Sequence, residues 1–178
     1  MTSRDISLFG GAALFVAALT FLIRVVAIRH GVLDVPNQRS SHVTVTPRGG
    51  GLAIVVCVLT ALAWLCGSRL LPTTAAALFG LGGAAVATIG YIDDIRGLPA
   101  LPRFIVHIAA SILAVAAHFY ISGNAPLEYD DLLIAAVLVV CATWSINLFN
   151  FMDGTDGIAA SQAVFLCMLI NALFFRFR

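Results

Sequence analysis

The sequence predicts an all-α, polytopic membrane protein with about six transmembrane helices, and three observations carry that expectation. Of its 178 residues, 61% are hydrophobic and 11% charged, with a mean hydropathy of +1.01, whereas a soluble domain is about half apolar and a quarter charged. Six apolar runs recur, each close to the length that crosses about 30 Å of hydrocarbon. The unusual polar clusters fall together in the connections of one side, where chance would scatter them. A net charge of +1 offers no field for nucleic acid, so the expected surroundings are a lipid membrane.

The first run, residues 6–28, is apolar apart from Arg24, whose long stem lets its charge snorkel to the interface. It is longer than a signal-peptide core and lacks a small-residue cleavage site, so it reads as a retained span. A polar connection, residues 29–50, leads to spans at 51–71, 75–92, 101–121, 132–151 and 158–175. Alternation places 29–50, 93–103 and 150–157 on one side. The first two of these carry Arg29, Arg39, Arg48, Arg96 and Arg103, while the other side has the turn at 72–74 and Glu128, Asp130 and Asp131. Short basic loops stay in the cytoplasm, which puts the amino terminus outside; Arg176 and Arg178 run against this and are outvoted. Cys57, Cys66, Cys141 and Cys167 lie in apolar runs without a CxxC pair, and read as small membrane-core residues. Residues 1–178 form one transmembrane domain.

Three clusters bear chemistry. The first connection reads DVPNQRSSHVTVTPRGGG, residues 34–51. Arg39, His42 and Arg48 stand among hydroxyls there, and guanidinium groups match phosphate oxygens in pairs. The glycines leave bare N–H groups at a helix start, where an anion is favoured. The same composition also fits a basic loop resting on acidic head groups. The second cluster is Asp93-Asp94 at the end of the third span. Adjacent carboxylates repel unless a cation lies between them, and hard oxygen ligands favour magnesium. Alternatively the pair ends the helix, neutralised by Arg96 or Arg103, although carboxylates at a helix C-terminus oppose its dipole.

The third cluster, WSINLFNFMDGTDGIAASQ, sets Asn147, Asn150, Asp153 and Asp156 at three-residue intervals. On a continuous helix each such step turns back by about 60°. Gly154 and Gly157 let the backbone leave the helix near Asp153, so that the four polar groups curl round one cation or phosphate site. An N-cap at Asp156 with interhelical Asn bonds is the simpler reading; capping explains one residue of the four. His107, His118, Trp64, Trp144 and Tyr91 are expected to pack or to lie at an interface.

In this order, DVPNQRSSH, TPRGGG, DDIRGL and NLFNFMDGTDG resemble the polyprenyl-phosphate N-acetylhexosamine-1-phosphate transferases, glycosyl transferase family 4, over essentially the whole chain. This superfamily includes the phospho-MurNAc-pentapeptide translocase, and the forms here look most like its O-antigen-initiating branch. The resemblance implies a magnesium-dependent enzyme of the EC 2.7.8 type in the bacterial cytoplasmic membrane. Such an enzyme passes N-acetylhexosamine 1-phosphate from a UDP-sugar to undecaprenyl phosphate at the cytoplasmic face and releases UMP. It further implies catalytic roles for Asp93, Asp94, Asp153 and Asp156, with Asp94 and Asp153 on magnesium, and substrate contacts from Arg39, His42, Arg48, Asn147 and Asn150. A phosphate monoester ionises with a second pKa of about 6, so the paired aspartates are read as electrostatic rather than as an obligatory base.

Family members usually have ten or eleven spans, with a GDxGS-like aspartate and a histidine-rich loop later in the chain. Neither occurs before Arg178, so the chain is read as the amino-terminal half of a longer enzyme. Which UDP-sugar is used, and whether a homo-oligomer forms, are left open. Two other readings remain: a truncated, non-catalytic membrane protein, and an ion-coupled transporter. The latter expects acidic groups near mid-membrane rather than at one face. A CDP-alcohol phosphotransferase would need an Arg soon after Asp156-Gly157, where Ile158-Ala159-Ala160 stand.

Overall fold

The computed structural model describes residues 3–34, 45–47, 49–123, 129–152 and 158–176. Six helices follow one another: α1 (Ser3–Arg29), α2 (Gly51–Gly67), α3 (Thr73–Arg96), α4 (Ala100–Ser122), α5 (Tyr129–Met152) and α6 (Ile158–Arg176). The all-α expectation holds with one addition. In the first connection β1 (Leu33–Asp34) and β2 (Thr46–Pro47) pair antiparallel, Leu33 opposite Pro47 and Asp34 opposite Thr46.

The expectation of about six membrane-length spans is met in part. Residues Gly10–Arg29 of α1, and all of α3, α4 and α5, are long and apolar enough to cross a membrane, which makes this a multi-pass membrane protein. The 17 residues of α2 rise only about 26 Å at 1.5 Å each, while α6 extends over the 19 residues Ile158–Arg176. The apolar run at 51–71 also ends earlier as a helix. The N–H groups of Ser68 and Leu70 bond back to Trp64 and Leu65 at 2.9 Å each, and Arg69 takes a left-handed φ of 57°. Arg69 therefore sits in the α2–α3 connection, at the bundle end away from Asp93, and subtracts from the basic bias of the other end.

Packing is densest between α3 and α4, then between α4 and α5. Of the apolar window of α4, 28% is buried, against 6% for α1 and for α5. Small residues make the close approaches: Ala53, Ala75, Ala110 and Ala117 are buried. A Cβ on Gly82 would come within 3.2 Å of the Ala110 carbonyl oxygen. In lipid no hydrophobic drive pulls helices together, so contact depends on backbones that can meet closely. The large apolar side chains turn outward instead, with Phe21 67%, Leu81 62% and Trp144 72% exposed. That surface would aggregate in water and is matched to hydrocarbon.

Candidate functional site

Successive residues on a helix point about 100° apart, and at the end of α3 this separates the two adjacent carboxylates. Asp93 turns toward α4. Its backbone carbonyl accepts the Gly97 N–H at 2.7 Å, and its Oδ1 accepts the Leu98 N–H at 2.7 Å. Its Oδ2 accepts from Arg103 Nη1 at 2.6 Å. Gly97 supplies the left-handed turn, φ 63°, at which a side chain would be strained. Pro99 then sets the backbone for the first turn of α4. The two side chains are 19% and 27% exposed, so the ion pair is partly withdrawn from water. Neutralisation by Arg103, the simpler reading of the pair, is therefore realised for Asp93.

Asp94 turns the other way. With His30 and Tyr91 it lines a cavity of about 390 Å³ between the C-terminal end of α1, the start of α2 and the end of α3. The remaining walls are aliphatic, including Ile23, Val26, Leu52 and Ile95. The sequence reading did not single out His30 and assigned Tyr91 to packing. Its available signal was spacing, since Tyr91, Asp94 and Ile95 share one face of α3.

On α5, Asn147 is half-buried and Asn150 exposed. Asn147 Nδ2 donates to the Thr143 carbonyl at 2.8 Å, Thr143 Oγ1 donates to Ser111 Oγ at 3.0 Å, and Ser111 Oγ donates to the His107 carbonyl at 2.8 Å. Polar groups thus step across α4 to α5, the two helices running antiparallel. The Asp93–Asp94 end of α3 and the Asn147–Asn150 end of α5 consequently share one end of the bundle, with α4 between them. His107 is 4% exposed, as packing requires, yet its Nδ1 has no hydrogen-bond partner among the described residues. Arg103, His107 and Ser111, four residues apart, make one polar line along α4 that the sequence reading left undrawn.

Arg39, His42, Arg48, Asp153 and Asp156 lie outside the described residues. Among the described residues no three His, Cys, Asp or Glu side chains gather as a metal site. Magnesium, however, is commonly held by one or two carboxylates with phosphate and water oxygens completing its shell. Asp94 meets that requirement with a hard oxygen donor at the cavity. Both oxygens of Asp93 already accept hydrogen bonds, which suits it to positioning rather than to ligation.

The profile of glycosyl transferase family 4 matches residues 76–177. The decaprenyl-phosphate N-acetylglucosaminephosphotransferase of Mycolicibacterium smegmatis is 33% identical over 94% of this chain and 44% of its own length. A probable undecaprenyl-phosphate N-acetylglucosaminyl 1-phosphate transferase of Bacillus subtilis is 27% identical over 85% of this chain and 43% of its own. The undecaprenyl-phosphate alpha-N-acetylglucosaminyl 1-phosphate transferase of Yersinia pestis is 30% identical over 82% and 40%. The chain spans less than half the length of these relatives. No solved structure matches it.

Proposed function

The chain belongs to glycosyl transferase family 4, and we propose that it transfers an N-acetylhexosamine 1-phosphate from a UDP-sugar to undecaprenyl phosphate, releasing UMP. The product starts a cell-surface polysaccharide of the O-antigen kind in the bacterial cytoplasmic membrane. The reacting end of the bundle faces the cytoplasm and the amino terminus lies outside. The observation that carries this reading is that the Asp93–Asp94 end of α3 and the Asn147–Asn150 end of α5 meet at one end of a multi-pass bundle. The names of the relatives support it, since each joins a polyprenyl phosphate to an N-acetylglucosamine phosphate.

The reaction joins two anions. A lipid phosphate oxygen forms a bond to the sugar-bearing phosphorus, and the bond from that phosphorus to the bridging oxygen of UMP breaks. Such phosphoryl transfer requires positioning and charge neutralisation above all. Asp93 holds the α3–α4 turn and fixes Arg103 beside the site. Asp94 presents a carboxylate to the acceptor side, and Asn147 and Asn150 bind the nucleotide sugar. Arg39, His42 and Arg48 cradle phosphates, and Asp153 and Asp156 complete the acidic set. Magnesium, held by Asp94 with Asp153, would supply neutralisation of the facing phosphates when bound. Membranes carrying the product of the complete reading frame should exchange labelled UMP into the UDP-sugar when given undecaprenyl phosphate and magnesium. The absence of exchange with every UDP-N-acetylhexosamine overturns the proposal.

A further inference from the structure

Nothing apolar fixes which way α5 turns about its own axis. Its apolar residues run round the whole circumference rather than along one stripe, and in lipid no hydrophobic drive would select a face in any case. Thr143 is the exception. No other described residue of α5 is buried, and Thr143 Oγ1 donates to Ser111 Oγ on α4 at 3.0 Å. The pair is withdrawn from its surroundings, with Ser111 1% and Thr143 6% exposed. At the next level toward the Asp93 end, His107 Nδ1 finds no partner among the described residues, so His107 does not repeat the tie there. Thr143, Asn147 and Asn150, four and then three residues apart, fall within a sector of about 60° on α5. The direction of Thr143 therefore sets that of both asparagines.

We propose that Ser111 and Thr143 are positioning residues: their buried hydrogen bond fixes the rotation of α5 on α4 and so aims Asn147 at the nucleotide sugar. The role of Asn147 rests on the function proposed above; the rotation rests on the bond itself. Ser111 Oγ accepts from Thr143 and donates to the His107 carbonyl at 2.8 Å, so the α4 backbone sets its direction and the hydroxyl is not free to swing. Asn147 Nδ2 donates to the Thr143 carbonyl at 2.8 Å. That bond holds the amide against its own helix and leaves one N–H and the Oδ1 lone pairs for a ligand. Between the α4 backbone and that amide stand a few hydrogen bonds and one helical turn, so a rotation of α5 is felt directly at Asn147. A neutral hydrogen bond adds little net stability; what this one contributes is direction.

The test uses the protein from the complete reading frame in nanodiscs. Thr143→Val nearly keeps the side-chain volume and removes its donor, while Ser111 keeps its bond to the His107 carbonyl, so no buried donor is stranded. This variant should raise the nucleotide-sugar KM about fivefold, the worth of one net hydrogen bond, with the lipid KM unchanged. Thr143→Ser, which keeps the hydroxyl, should restore the wild-type value. Spin labels at Leu81→Cys on α3 and Val140→Cys on α5, both exposed positions, with the native cysteines replaced by alanine, report the rotation without turnover. The interlabel distance distribution should broaden with Thr143→Val and stay narrow with Thr143→Ser. A folded Thr143→Val protein with unchanged distances, a joint rise in both KM values, or a Thr143→Ser protein as impaired as Thr143→Val overturns the proposal. If Thr143→Val does not accumulate, Ser111→Ala breaks the same bond from α4, leaving Thr143 to bond a carbonyl of its own helix, and the same distances decide. Broadened distances in a protein inert toward every UDP-N-acetylhexosamine refute the function alone. An active protein whose distances and KM values do not move refutes the positioning role alone.

Discussion

The α3–α4 hairpin and the α5–α6 pair present related sequence, acidic groups followed by glycine at a helix end, yet they are built differently. The turn from Gly97 to Pro99 is held within its own hairpin by Asp93, which binds Gly97, Leu98 and Arg103. Gly82 lets the two helices touch along their length. By contrast α5 has 6% of its apolar window buried, meets α4 through Thr143 and Ser111, and, among the described residues, touches α6 only lightly. The first region is preorganised by short-range chain contacts. The second offers side chains on a surface, so its changes should register in binding more than in stability.

The sharpest way to break that contrast is Asp93→Ala, which strands Arg103 and the Leu98 N–H together. A loss of about 3 kcal/mol is expected, read as a lowered thermal midpoint in detergent alongside lost exchange activity; unaltered stability would erase the distinction between the regions. Arg103→Ala should cost less because the Leu98 bond persists. A double-mutant cycle should return a coupling of about 1–2 kcal/mol. Next comes Gly82→Leu, where the new side chain meets the Ala110 backbone: about 2 kcal/mol of destabilisation, measured by the same melt. On the other side, Asn147→Ala should raise the nucleotide-sugar KM about tenfold, roughly 1.4 kcal/mol, while moving the melt little. The smallest effect is expected from Arg69→Gly, which relieves a left-handed residue and should stabilise by up to about 1 kcal/mol, visible as a slightly raised midpoint.

Much of this architecture was legible in the letters. Apolar runs gave α1 and α3 to α6 within a few residues, because a span must satisfy its backbone internally and only a helix does so here. The end of α2 was hidden, since Leu70 and Leu71 prolong the apolar run past Gly67 while the chain has already turned, and the left-handed position is Arg69 rather than a glycine. The β1–β2 pairing was also hidden, because two-residue strands carry no periodicity. At the site, the adjacency of Asp93 and Asp94 was readable, but their division of labour was not. It depends on which neighbour each faces: α4 with Arg103 on one side, and the α1–α2 cavity on the other.

The line of Arg103, His107 and Ser111 means that a single rigid rod is hooked to both neighbours, to α3 through Asp93 and to α5 through Thr143. Its phase, rather than loop length, sets the spacing of the two hooks. Inserting one residue between Arg103 and Ser111 would rotate one hook by about 100° relative to the other, so α4 can engage α3 or α5 but not both.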